Sequence, residues 1–180
     1  PLALRMKLLE ADPRGQAVLQ LAAEKAGWGQ RLPKGQGRGI AFSMGFDSYC
    51  AQVVQVRVTG RKLRIERIVC AFDCGLMVDP RAVEAQVEGG IVFGLSAARD
   101  GQITFENGVA RQSNFHDSAL IRMHELPPIE VHLLRTDHKP GGCGEASVPT
   151  VAPALASAIH AATGRRPRKL PIIENGYELV

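Results

Sequence analysis

The sequence is poor in aromatic residues: Phe, Trp and Tyr make up 5% of 180 positions, with a single tryptophan. That leaves few platforms on which nucleic-acid bases could stack. No apolar run approaches the ~20 residues of a membrane-spanning helix. Nothing near the start joins a basic end to an apolar stretch, so no export leader is read from these residues. Neither sign of charge dominates, since 22 basic and 18 acidic residues leave a net charge of +4. The basic excess gathers in one run, GRRPRK, at residues 164–169. Its cations either complement the negative end of a preceding helix or touch phosphates, and the first use is the more ordinary one. Cysteine is scarce as well. The four residues Cys50, Cys70, Cys74 and Cys143 form no CxxC pair, which excludes a disulfide-stapled scaffold. Cys70 falls in an apolar, strand-like run and reads as a buried thiol rather than a zinc ligand.

What is present fits a globular domain of ordinary composition, with 45% hydrophobic and 22% charged residues. Residues 2–9 and 13–26 carry apolar side chains at helical spacing, broken at Asp12-Pro13, a sound cap and first-turn pair. A glycine-bearing basic stretch then reads as a loose connector. From Ile40 the period changes to two. Residues 51–59 and 62–72 alternate on either side of Gly60, which predicts a hairpin, and residues 39–49 supply one more strand. Asp79-Pro80 opens a second helical pattern with Val83, Val87, Ile91 and Leu95 on one face. Three glycines inside it, Gly89, Gly90 and Gly94, each cost about 1 kcal/mol against alanine, so close packing on backbone or ligand is expected there. A short hairpin is predicted around Asn107-Gly108, a strand at 129–134, and a last helix at 148–162 that stops at Gly164. The pattern predicts an α+β fold, a two-layer mixed sheet with helices on one face. Residues 1–30 are read as a helical arm and residues 31–180 as the main lobe.

Two places could carry chemistry. In KPGGCGEASVPT, Glu145 follows Gly141, Gly142 and Gly144 and precedes an apolar helix. It is either a first-turn acid favouring the helix dipole or a general base at the mouth of a pocket. In QVEGG, the Gln86 amide sits ahead of Gly89 and Gly90, placed either to hydrogen-bond a polar heterocycle or simply to accompany a tight helix contact. His116 and Asp117 are adjacent in sequence and point apart, which favours a structural turn over a catalytic pair.

Taken together and in order, DPRGQAVLQLAAEKAGWG, GRGIAF, FDCGLMVDPRAVEAQVEGGIVFGLSAA, QSNFHD and GGCGEASVPTVAPALASAIHAATG resemble the xanthine dehydrogenase/aldehyde oxidase family. The similarity is to the C-terminal part of its molybdopterin-binding large subunit, of the isoquinoline 1-oxidoreductase beta-subunit type. The resemblance implies a molybdenum cofactor-binding lobe, and a chain continuous with an upstream part. It implies a molybdenum centre on a pyranopterin, as molybdopterin or its cytosine dinucleotide. Such a centre hydroxylates an N-heterocycle or aldehyde with oxygen from water and passes electrons to 2Fe–2S clusters on a small partner subunit.

Glu145 matches the glutamate of the family's Gly-x-Gly-Glu motif and would be the base, its proton affinity raised by an apolar pocket. Gln86 matches the glutamine before Val-Glu-Gly-Gly and would hydrogen-bond the pterin. Gly89, Gly90, Gly141, Gly142 and Gly144 would line the approach, with no metal ligand supplied by the protein. Asp79 stands where relatives often have Asn, and Cys143 fills the variable position beside the presumed metal. The other cofactor loops would lie upstream, so this stretch alone is expected to fold at least in part, to bind no cofactor tightly, to be inactive and to self-associate through its uncovered apolar face. Relatives of this type occur in cytoplasm and periplasm. A stand-alone assembly module of the same fold, and a basic nucleic-acid-binding domain, are the rival readings.

Overall fold

The computed structural model describes residues 1–118 and 120–180. Helix α1 (Leu2–Leu8) turns into α2 (Pro13–Lys25), where the Asp12 carboxylate accepts the Gly15 N–H at 2.9 Å and Pro13 takes the first helical position. Three strands follow as an antiparallel meander: β1 (Gln36–Gly45), β2 (Ser48–Thr59) and β3 (Lys62–Asp73). Helix α3 (Pro80–Arg99) starts on Asp79, whose carboxylate accepts the Arg81 N–H at 2.9 Å. A small hairpin, β4 (Phe105–Glu106) and β5 (Val109–Ala110), turns through Asn107 and Gly108 at φ 52° and 80°. Both residues are left-handed, as a tight two-residue hairpin turn requires. Strand β6 (Ile129–Leu133), helix α4 (Val151–Thr163) and strand β7 (Glu178–Leu179) complete the order.

The main sheet runs β1-β2-β3-β6, with β7 also paired to β3. Ile40 lies opposite Val53 and Val53 opposite Val69 in the antiparallel part, while Cys70 pairs with Val131 in parallel. The sheet is therefore mixed and the class α+β, as the sequence pattern predicts. The expected placement of all helices on one face is corrected. Cys50, Val54, Cys70 and Phe72 point to α3 and α4, whereas Ala51, Val53, Val69 and Ala71 meet Val18, Leu19 and Ala22 of α2 on the other face. The helical arm of residues 1–30 lies on this second face. The physical cause is legible in β2 and β3, buried at successive positions over 50–54 and 68–73, the signature of strands covered on both sides. Arg57 and Arg64 lie opposite each other near the hairpin end.

The stretch read as a loose connector holds the start of β1. Gly37 and Gly39 lie directly beneath α4, and a Cβ on Gly39 would run into the Ala154 carbonyl. Side chains are missing there so that a helix can rest on strand backbone. Of the cysteines, Cys50, Cys70 and Cys74 are buried as expected of structural thiols, with the Cys50 and Cys70 sulfurs 3.6 Å apart.

A buried ion pair joins the second face to the loops above the sheet. Asp73, fully buried at the end of β3, accepts hydrogen bonds from Arg14 Nε at 2.7 Å and Arg14 Nη2 at 2.8 Å. Its Oδ1 also accepts the Gly75 N–H at 2.7 Å and the Thr136 hydroxyl at 2.9 Å. The Arg14 guanidinium lies 4.5 Å over the Tyr49 ring. Burial alone would push the Asp73 carboxyl up, but its hydrogen bonds and the facing cation outweigh that and hold it below the usual carboxylate range.

A depressed carboxyl contributes its stability in full above the unfolded-chain value, about pH 4, and loses it as pH falls through the folded value. Acid unfolding should therefore be steeper in the native chain than in Asp73→Asn. That variant, with the part-buried Arg14 guanidinium left without its counter-charge, should lose roughly 1–3 kcal/mol at neutral pH by denaturant titration.

Candidate active site

Helix α4 begins at Val151 with no acidic residue in its first turn, so Glu145 is six positions too early to serve as a dipole-compensating acid. It sits instead in a separate turn, closed by the Val148 N–H donating to the Glu145 carbonyl at 3.0 Å. This turn is fixed to three elements. Gln52, buried in β2, donates from Nε2 to the Ser147 carbonyl at 2.6 Å, and the Thr150 hydroxyl donates to the same oxygen at 3.0 Å. The Ser43 hydroxyl of β1 reaches the Ala146 carbonyl at 3.5 Å. The Ser147 hydroxyl donates to the Val87 carbonyl of α3 at 3.0 Å. Ser147 is itself fully buried against the bare backbone of Gly90.

The contact with α3 brings Gln86 beside the residue that precedes Glu145. A Cβ placed on Gly144 would lie 3.9 Å from Gln86 Oε1, so the Gln86 amide stands beside the turn that carries Glu145. Both side chains are exposed. The apolar pocket expected around Glu145 is thus not built by these residues, and its desolvation has no source within the described chain. The helix stripe that includes Gln86 is unusual in another way. Ala82, Gln86, Gly89, Phe93 and Ala97 follow one another at helical spacing, all are exposed and none is charged. Phe93 is 65% exposed, and Phe46, also 65% exposed, flanks the glycine turn from the β1–β2 connection.

The five candidate glycines divide by what their missing side chains would meet. At Gly141 a Cβ would come within 2.6 Å of the Ser48 hydroxyl and 2.7 Å of the Asp47 carbonyl, and at Gly142 within 2.9 Å of the Phe46 Cβ. Gly90 meets Ser147. Those three are bare so that this chain can pack on itself. Gly89 has nothing within 4 Å, and Gly144 has only the Gln86 amide near that limit. A glycine in mid-helix costs about 1 kcal/mol against alanine, and no neighbour within the described chain accounts for Gly89. Gly89 and Gln86 on the uncharged stripe of α3, with Gly144 beside the Gln86 amide, leave an open patch, and the exposed Glu145 follows Gly144 in the chain. A flat, hydrogen-bonding heterocycle such as a pterin fits such a patch, since bare backbone permits its close approach. Among the described residues no group of three His, Cys, Asp or Glu side chains is placed to ligate a metal directly.

The other candidates separate from this site. Asp117 accepts the backbone N–H groups of Ser113 at 2.8 Å and Asn114 at 3.0 Å, closing an exposed turn, and His116 stands 3.6 Å away. That is the structural role the sequence favours. Gln52 and Ser147 are residues the sequence reading missed. The signal for Gln52 was an amide falling in phase with Cys50 and Val54 on the apolar side of β2.

Residues 12–127 match the molybdopterin cofactor-binding domain family, a span that holds Gln86, Gly89 and Gly90 and ends before Glu145. The chain is 34% identical to the isoquinoline 1-oxidoreductase beta chain of Brevundimonas diminuta over 96% of its own length and 23% of that protein's. It is also 34% identical to one of the nicotinate dehydrogenase subunits of Pseudomonas putida, over 96% of this chain and 16% of that one. In three dimensions it resembles the aldehyde oxidoreductase of Desulfovibrio desulfuricans, with a TM-score of 0.59 and 25% identity over 69% of this chain and 14% of that one. The chain thus spans less than a quarter of the length of these relatives. With more than half of its residues inside the family match, the chain belongs to the molybdopterin cofactor-binding domain family.

Proposed function

We propose that this chain forms one wall of a molybdenum–pterin centre in the large subunit of a hydroxylase that oxidises an N-heterocycle or an aldehyde with oxygen from water. The observation that carries the reading is the Gln86 amide standing 3.9 Å from the Cβ position of Gly144, the residue before the exposed Glu145, on a stripe of α3 that bears the open Gly89 and no charge. When bound, the molybdenum–pterin group supplies the two-electron acceptor and the Lewis acidity that water activation needs. The chain's residues supply placement and proton handling. The Gln86 amide, able both to donate and to accept, hydrogen-bonds the edge of the pterin. The bare backbone at Gly89 and Gly144 lets the ring system settle against the helix. Glu145 takes up at its carboxylate the proton released as water becomes the nucleophile, and its turn holds it there without a histidine partner.

The second wall comes from the rest of the large subunit. Its arrival over Phe46, Phe93 and the uncharged stripe encloses the turn and excludes bulk water from the site. In isolation the patch is one-sided, and on this reading the 180-residue chain retains no cofactor and turns nothing over. Electrons leave through 2Fe–2S clusters on a small partner subunit. Two of the relatives are named as single subunits of their enzymes, which supports a multi-subunit assembly.

Two substitutions in the complete large subunit with its iron–sulfur partner test this assignment. Glu145→Gln should lower kcat by a factor of roughly 100 to 10,000, the range of a general base, while molybdenum content stays at the native level. Unchanged turnover would remove Glu145 from the mechanism. Gly89→Ala should raise the stability of the isolated chain by up to about 1 kcal/mol, since alanine is the better helix former and no atom opposes its methyl. The same substitution should reduce molybdenum occupancy of the assembled enzyme. Full occupancy would show that nothing approaches the helix at this point.

A further inference from the structure

The basic run at residues 164–169 is left unused by the proposed chemistry. The structure gives it a shape. After α4 ends at Gly164, the chain folds back through a short helical turn (Ile172–Asn175) and returns along the hairpin tip of β2 and β3. Between these parts lies a cleft of about 690 Å³ lined by Arg61, Arg165, Arg166, Thr163, Asn175 and Tyr177, among others. Among the described residues no aspartate or glutamate lines it.

Two carbonyls in the last turn of α4 are covered by groups other than these cations. The Gly164 N–H donates to the His160 carbonyl at 2.8 Å and the Thr163 hydroxyl to the Ile159 carbonyl at 2.7 Å. The loop presenting the arginines is also held in shape. Asn175 donates to the carbonyls of Lys169 at 2.9 Å and Ile172 at 3.1 Å, and accepts the Arg168 N–H at 3.1 Å. Arg61 is shared with Glu178 on the outer side at 3.3 Å. Among the described residues Arg165 and Arg166 have no ion-pair partner within 4 Å. Two unpaired arginines and a shared third line one concavity, more positive charge than a single carboxylate would neutralise. Their planar forks match the oxygens of a phosphoryl group.

We propose that this cleft binds a small soluble molecule through a phosphoryl group of two or more negative charges. The cleft lies beyond the C-terminal end of α4, and the Glu145 turn precedes its N-terminal end. Thirteen helical residues set the two roughly 20 Å apart, so the site is separate from the chemistry proposed above and does not depend on it.

The test is isothermal titration of the complete large subunit with inorganic pyrophosphate, alongside citrate and a short DNA duplex, at low and high salt. Pyrophosphate should saturate a single class of site, bind more tightly than citrate, and retain binding in Glu145→Gln. Arg165→Ala/Arg166→Ala should weaken it roughly a hundredfold, given what a charged hydrogen bond contributes at each arginine. Both side chains are exposed, so the double variant should melt as the native protein does. Arg61→Ala should weaken binding less, because Glu178 already shares that cation. Absence of saturation, or equal binding by the double variant, would overturn the proposal. So would duplex DNA binding more tightly with a steep salt dependence, which would make this a general cationic face.

Discussion

The contact between Ser147 and the bare backbone of Gly90 is the constraint on which the proposed site depends. It is the point where a turn that belongs to no helix or strand is pressed against α3. The Ser147 hydroxyl takes the Val87 carbonyl, and Gln52 takes the Ser147 carbonyl from below. A buried serine whose hydroxyl and carbonyl are both engaged leaves the turn little freedom, because shifting it would strand those groups without partners. Glu145, two residues before Ser147, is exposed, and Gln86 of α3 stands beside the preceding Gly144. Neither residue is positioned by its own side-chain contacts. Their relation is a property of the backbone beneath them.

A second fixture sits at the far end of β3. Asp73 gathers Arg14 from α2, Gly75 from the loop that leads into α3, and Thr136 from the loop that leads into the glycine turn. The Gly141 N–H then bonds the Cys74 carbonyl at 2.7 Å. One buried carboxylate thus ties the helix layer on the second face to both loops that approach the site. The sheet between them is covered on both faces of β2 and β3. Cost and placement go together here: burying an ion pair adds little net stability, but it defines where three chain segments meet.

Much of this was legible in the residues, and the limits have physical causes. Helix starts at Asp12-Pro13 and Asp79-Pro80, and the turn at Asn107-Gly108, follow from local chemistry and appear where the sequence predicts them. The second helix layer was hidden because β2 and β3 were read by their alternation about Gly60, whereas the successive buried positions lie away from the turn, at 50–54 and 68–73. Gly37 and Gly39 read as connector because a glycine needed for helix-on-strand contact looks, locally, the same as one in a loop. In the site, Glu145 and Gln86 stood out by residue type and spacing. What each glycine does could not be read that way. Gly90 and Gly89 are neighbours in sequence with opposite roles, one packed against Ser147 and the other facing open space. Only the third dimension separates them.

The central claim is that the Glu145 turn is anchored to α3 through Gly90. Hydrogen–deuterium exchange of Gly90→Ala, followed at residues 143–148, tests it most directly. A methyl group there should push the Ser147 hydroxyl off the Val87 carbonyl. Amide exchange in the turn should then rise well above native while β2 and β3 remain protected, and overall stability should fall despite alanine's better helix propensity. Native exchange in the turn together with a gain in stability would contradict the account.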